Sequence, residues 1–117
     1  KNISLVTPEL SQLWQMRFRD NTKRMIEGQQ TLIIAGLITT GKTMMQAIES
    51  VLYYSGRVNG ICAAFSQVSK VAGMDINAVF TQKDVAGYEK YANGDCPMCA
   101  AVQKIDAFVN SFGHSSI

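Results

Sequence analysis

Three groups of residues in this 117-residue chain have types and spacing that could do chemistry. The first is Gly36-Leu37-Ile38-Thr39-Thr40-Gly41-Lys42-Thr43. Placed in a turn from a strand into a helix, such a segment is an anion cradle, because N–H groups of a first helical turn have no intrahelical partner and the helix dipole adds partial positive charge. Thr39, Thr40 and Thr43 add hydroxyl donors, and Gly41 lets backbone approach the oxygens without a Cβ in the way. Each charge-assisted bond contributes ~1.5 to 3 kcal/mol. An ordinary strand-to-helix loop is the alternative. The second group is basic: four of the eleven Lys and Arg residues lie between Arg17 and Arg24, as a solvated face or as an arm reaching toward an anionic ligand. The third is Cys96-Pro97-Met98-Cys99. Its spacing is that of a metal clamp, but zinc takes about four ligands and this is half a set, which Cys62 and His114 or a second subunit's pair would have to complete. It also has the spacing of a redox pair at a helix start, where thiol pKa falls, and the plainest reading is two reduced, partly buried thiols. No metal site is assigned, and His114 reads as a solvated tail residue.

The elements around these groups follow from hydrophobic periodicity. Thr31 to Ala35 is a short continuous apolar run, the pattern of a strand buried on both faces at the centre of a parallel sheet. A helix is predicted from Thr43, with Met44, Ile48, Val51 and Leu52 as its apolar stripe and Ser55-Gly56 as its stop. Arg57 to Phe65 reads as the next strand, Gln67 to Ala72 as a short helix ended by Gly73, and Asp75 to Phe80 as a third strand. That alternation predicts an α/β fold, a partial Rossmann-like parallel sheet with right-handed crossovers. Upstream, apolar and polar residues alternate from Trp14 to Arg19, placing Trp14, Met16 and Phe18 on one face; Asp20-Asn21 reads as a turn and Lys23 to Glu27 as a return strand ending at Gly28. This predicts an N-terminal β-hairpin arm over residues 14–28, whose apolar side needs a surface to cover it. Asp84 to Asn93 reads as loop. Asp95 as N-cap, Pro97 in a first turn and the stripe Met98, Ala101, Val102, Ile105, Val109 and Phe112 predict a C-terminal helix.

Composition narrows the classes. The length predicts one domain over residues 1–117. With 47% hydrophobic and 17% charged residues the chain is not disordered. A net charge of +2 is too weak to argue for nucleic-acid binding by phosphate neutralisation, and no apolar run approaches the ~20 residues of a membrane span. An odd count of three cysteines does not make a secreted disulfide framework, so a reducing, cytoplasmic setting is expected. Lys1 is no initiator methionine and no leader follows it, so the chain reads as a processed product or an excised piece of a longer protein.

As a pattern, Gly36 to Thr43 matches the G-x-x-x-x-G-K-[ST] nucleotide P-loop. A nucleotidase also needs a strand ending in an acidic residue to hold magnesium; neither Ile61 to Phe65 nor Ile76 to Phe80 supplies one, and Asp84 comes four residues too late. Thr31 to Thr43 instead resembles the phosphoribosyl-pyrophosphate loop of type I phosphoribosyltransferases: a hydrophobic strand, two acidic residues, two apolar residues, then Thr-Thr-Gly. Lys23-Arg24-Met25-Ile26-Glu27-Gly28 looks like the end of the hood loop in the orotate phosphoribosyltransferase branch, Gly60-Ile61-Cys62 sits where its next strand would, and Cys96-Pro97-Met98-Cys99 is similar to the Cys-Pro-x-Cys near the C-terminus of many bacterial members. The resemblance covers residues 17 to 100, as a C-terminal portion of the family's chain.

The resemblance implies phosphoribosyl transfer from phosphoribosyl pyrophosphate, with magnesium, to a pyrimidine such as orotate. By it Thr39, Thr40, Gly41, Lys42 and Thr43 hold the 5-phosphate, while Lys23 or Arg24 closes over the pyrophosphate and stabilises charge on the leaving group. The family's hood histidine has no counterpart here. Ala35 and Gly36 occupy the positions of the acidic pair that bonds the ribose hydroxyls, and losing two such bonds predicts roughly hundred- to ten-thousand-fold weaker binding of the sugar. The expectation is therefore a phosphate cradle with altered sugar recognition: a phosphoribosyltransferase-like domain, inactive as these 117 residues, with a non-catalytic phosphate or nucleotide sensor as the alternative and a P-loop nucleotidase third. An exposed sheet edge is expected to favour a homodimer.

Overall fold

The computed structural model describes residues 2–11, 15–110 and 112–117, with the side chain of residue 110 left aside. The chain divides into two compact units, Lys1–Ala86 and Gly87–Ile117.

The first unit is mixed α/β. Its strands are β1 (Glu9–Leu10), β2 (Met16–Arg17), β3 (Gln30–Ile38), β4 (Arg57–Ser66), β5 (Lys70–Val71) and β6 (Met74–Thr81), and its helices are α1 (Asp20–Lys23) and α2 (Lys42–Tyr53). One four-stranded sheet runs in the order β3-β4-β6-β5. β3, β4 and β6 are parallel and in register through Ile33, Ile61 and Ile76, then Ala35, Ala63 and Ala78, while β5 closes one edge antiparallel to β6. The connection from β3 to β4 is α2, which buries Met44, Ala47, Ile48, Ser50 and Val51. Met44, Ala47 and Ile48 meet Ile33, Ile38, Ile61, Ala63 and Val71 in the core, with Ile61 wholly buried.

The expected strands over 31–35, 57–65 and 75–80 are present, as is the helix between the first two. Their surroundings differ from the pattern's promise. β3 is an edge strand rather than the centre, and α2 packs on one face of the sheet while Leu32, Ile34 and Val79 are more than half exposed on the other. Leu52, assigned to the stripe of α2, points to solvent. No helix forms over 67–72. Ala72 and Gly73 take φ of 51° and 77° between the paired ends Val71 and Met74, the signature of a tight two-residue turn between antiparallel strands.

The N-terminal arm is also rearranged. Met16-Arg17 pairs with Glu9-Leu10 upstream, not with Lys23 to Glu27, which form the end of α1 and a turn. The alternation still holds where it is described, with Met16 and Phe18 half-buried and Arg17 and Arg19 exposed; Trp14 lies outside the described residues. The arm is fixed on α2. Ser50 Oγ donates to the Met16 carbonyl at 3.0 Å, Tyr54 Oη donates to the Phe18 carbonyl at 3.3 Å, and the Phe18 ring meets that of Tyr54 edge-on at 5.4 Å. Partners for the arm's apolar side thus come from within the chain.

The second unit holds α3 (Pro97–Ala100) and a hairpin of β7 (Ala107–Asn110) and β8 (Gly113–Ser116). The long C-terminal helix expected from Asp95 stops after one turn, where Val102 takes a left-handed φ of 52°, and the N-cap is Cys96 rather than Asp95. Ala107-Phe108-Val109 pairs as strand instead, so apolar spacings that also fit a helix belong to a β-rich segment. His114 is exposed, opposite Val109 in β8.

Candidate phosphate-binding site

β3 ends at Ile38, whose carbonyl accepts the Gln67 N–H at 2.9 Å. Three residues separate it from α2, so Thr39, Thr40 and Gly41 form the whole turn at the C-terminal end of a parallel strand, where ligands of open α/β sheets are found. Gly41 is the N-cap with a left-handed φ of 80°. A Cβ at that position would stand 2.6 Å from Val71 Cγ2, so glycine is required by backbone and packing alike. Its carbonyl accepts the first helical bond, from Met45 N–H at 2.9 Å. The N–H groups of Thr43 and Met44 precede that bond and have no helical carbonyl to reach, while the Lys42 N–H makes a long 3.4 Å contact to Thr40 Oγ1. Thr40, Lys42 and Thr43 are exposed, Thr39 is half-buried, and Gly41 and Met44 are buried.

A shallow hollow of about 250 Å³ adjoins the turn, lined by Thr40, Gly41, Lys42, Met45, Lys70 and the β5–β6 turn. Two lysines, Lys42 and Lys70, line it. Lys70 went unnoticed in the sequence because the β5–β6 hairpin that delivers it reads there as helix. It also pairs with Asp75 at 3.3 Å on the surface, an exposed contact of small weight. Gln67, whose N–H bonds the Ile38 carbonyl, keeps its Oε1 buried without a hydrogen-bond partner among the described residues; any N–H or O–H donor would satisfy it. A larger cleft of about 820 Å³ lies elsewhere, between β2 and the outer face of α2. Arg17 and Glu49 offset each other in its lining, so it has no preference for an anion.

Of the residues assigned from sequence, Thr39, Thr40, Gly41, Lys42 and Thr43 are brought together in one turn. Lys23 and Arg24 are not brought to it. They close α1 just before Ile26, which packs against Val51 and Gly56 at the far end of α2, and Gly28 N–H bonds the Ser55 carbonyl. A helix of twelve residues is about 18 Å long, so within one chain these cations cannot close over a ligand in the turn.

Ala35 and Gly36 both lie inside β3. Ala35 faces α2 beside Ala63, and a Cβ at Gly36 would meet open space. The turn presents hydroxyls and lysines but no carboxylate, whereas magnesium is held through one or two carboxylates; the residues of the turn do not fit a magnesium site of their own. Of the eight P-loop positions, Gly36 to Ile38 are strand, with Leu37 paired to Phe65 and Ile38 to Ser66. The remaining turn is too short to wrap a triphosphate as a P-loop does. Asp84 is engaged locally, accepting the Thr81 N–H and hydroxyl at 2.8 Å each.

The chain is a mixed α/β protein with a mostly parallel four-stranded sheet, and Thr39 to Gly41 form the turn from β3 into α2. No protein-family model matches the chain, and no curated protein sequence matches it. Among the described residues, no helix is long and apolar enough to cross a membrane.

Proposed function

We propose that this chain is a phosphoribosyltransferase-like domain that binds the phosphate of a phosphorylated small molecule, of the kind of phosphoribosyl pyrophosphate or a nucleotide, in the Thr39–Thr43 turn. The observation that carries this reading is the left-handed Gly41 cap, which starts α2 directly after the Thr39-Thr40 turn, beside a hollow lined by Thr40, Gly41, Lys42 and Lys70. The resemblance of Thr31 to Thr43 to the type I phosphoribosyltransferase loop supplies the ligand class. Binding, not turnover, is expected of these residues. Ala35 and Gly36 offer no carboxylate to a ribose, and Lys23 and Arg24 stand at the other end of α2. Calorimetric titration with ribose 5-phosphate and with inorganic phosphate tests the reading. Comparable affinities for both, lowered roughly tenfold by Lys42→Ala, are expected; no heat from either ligand would sink it. Pyrophosphate release on adding phosphoribosyl pyrophosphate and orotate would instead favour a working transferase.

The uncovered face of the sheet supports a homodimer as part of the same proposal. Parallel strands are ordinarily covered on both faces, and here Leu32 and Ile34 on the edge strand β3 and Val79 on β6 are more than half exposed on the face away from α2.

A further inference from the structure

Two asparagines, Asn59 and Asn93, are followed by glycine. At such a pair the backbone nitrogen of the second residue can attack the side-chain amide of the first, because glycine has no side chain to crowd the nitrogen and leaves the backbone free to turn. The attack needs that freedom. The nitrogen must swing onto the asparagine Cγ, and extended, sheet-bonded backbone holds it away. The fold sets the two pairs in opposite states.

Asn59 and Gly60 lie inside β4. Val58 pairs with Thr31, Gly60 with Leu32, and Ile61 with both Ile33 and Ile76, while Asn59 is the extra residue where the register shifts. Gly60 is half-buried, and a Cβ on it would stand 3.2 Å from Leu32 Cδ1. Backbone fixed on both sides of the pair turns only when the sheet opens. Asn93 and Gly94 form an exposed turn in the second unit. Gly94 takes a φ of 95°, with nothing within 4 Å of its Cβ position. The turn is closed by Asp95 N–H, which donates to the Ala92 carbonyl at 3.1 Å. Among the described residues neither the Asn93 amide nor the Gly94 N–H has a hydrogen-bond partner. Opening such a turn costs little, whereas opening a central strand approaches the cost of unfolding the domain.

We infer that Asn93-Gly94 is a site of spontaneous deamidation and isoaspartate formation, and that the sheet protects Asn59-Gly60 from the same reaction. The Gly94 nitrogen gives its proton to solvent and bonds to Asn93 Cγ; the amide C–N bond breaks, and the nitrogen leaves as ammonia after taking a proton from water. Water then adds to either carbonyl of the succinimide ring and opens it. The product is aspartate, or isoaspartate with the main chain rerouted through the side chain. One water is consumed and one ammonia released, so no oxidant is required. The new carboxylate stands two residues before Asp95 and lowers the formal net charge of +2 by one. Isoaspartate also lengthens the main chain just ahead of Cys96 and α3.

Peptide mapping of the full chain, incubated in neutral buffer with and without denaturant, tests this. In buffer the Asn93 peptide should show the mass change of an amide turned into a carboxylic acid, and an isomer that isoaspartyl methyltransferase labels, roughly tenfold or more faster than Asn59 converts. In denaturant the two rates should converge as β4 releases Asn59. Asn93→Gln should remove the fast conversion and leave Asn59 unchanged. No conversion at Asn93 in buffer, equal rates at both sites in the folded chain, faster loss at Asn59, or a gap that persists in denaturant would overturn the assignment.

Discussion

Under the proposed function Lys42 matters most, because its side chain and the backbone N–H groups after it would serve the same anion. If the anion is held through phosphate alone, ribose contributes little, and the place to restore it is Gly36. A side chain there meets nothing within 4 Å, so Gly36→Asp should fold and, by the family pattern, bind ribose 5-phosphate roughly tenfold tighter with inorganic phosphate unchanged. Calorimetry on the pair of ligands checks it; an equal change for both would show that position 36 does not reach the sugar. Asp84 makes a different residue-scale prediction. The Thr81 N–H and then its hydroxyl hold the carboxyl below the usual carboxylate range. A depressed folded-state pKa contributes stability that is present above the unfolded value and is lost as pH falls through the folded one. Asp84→Asn should therefore lower the thermal midpoint slightly at neutral pH and converge with the parent in acid. A gap that widens on acidification would contradict this.

At the scale of elements, two turns carry backbone strain that substitution can relieve. The end of α2 is a Schellman motif, with Gly56 N–H on the Val51 carbonyl and Ser55 N–H on the Leu52 carbonyl, but the left-handed position is held by Ser55 at φ 59° rather than by glycine. Gly56 serves packing, since a Cβ there would stand 2.7 Å from Ile26 Cγ2. Ala72 is strained likewise in the β5–β6 turn. Denaturant unfolding should show Ala72→Asn more stable by about 1 kcal/mol, because Asn tolerates the left-handed region; a loss of stability would mean the turn is not type I′. These turns also show where the sequence was legible. β3, α2, β4 and β6 could be read because long apolar runs and a 3.6-residue stripe are local signals, and the turn from β3 into α2 was legible with them. The β5–β6 hairpin was not, since Ala72-Gly73 lacks the Asn-Gly or Asp-Gly signal. Nor was the pairing of Met16-Arg17: alternation shows that a strand exists but not which partner it takes. The helix expected after Asp95 failed because spacings of three and four also occur in a strand segment rich in apolar residues.

At the scale of the molecule, the sheet has one well-packed face and one bare one. The packed face centres on Ile61, which has no exposed surface, so Ile61→Ala should cost about 2 to 5 kcal/mol and, in a domain with about 5 to 15 kcal/mol of stability, come close to unfolding it. Chemical denaturation measures this. The bare face leads to the opposite kind of variant. If a second copy covers Leu32, Ile34 and Val79, Val79→Lys should turn a dimer into a monomer in sedimentation equilibrium while leaving the fold intact; a parent protein that stays monomeric at high concentration would remove the dimer from the proposal. Phosphate binding does not depend on that outcome, because every group of the cradle belongs to one chain.

The central claim concerns the backbone at the start of α2, and amide chemical shifts report on it directly. In a ¹⁵N-labelled sample titrated with inorganic phosphate, the resonances of Gly41, Lys42, Thr43 and Met44 should move together and saturate, with those of Lys23 and Arg24 unmoved. If the four amides stay where they are while phosphate is raised to millimolar levels, the turn is an ordinary strand-to-helix loop and the functional reading fails.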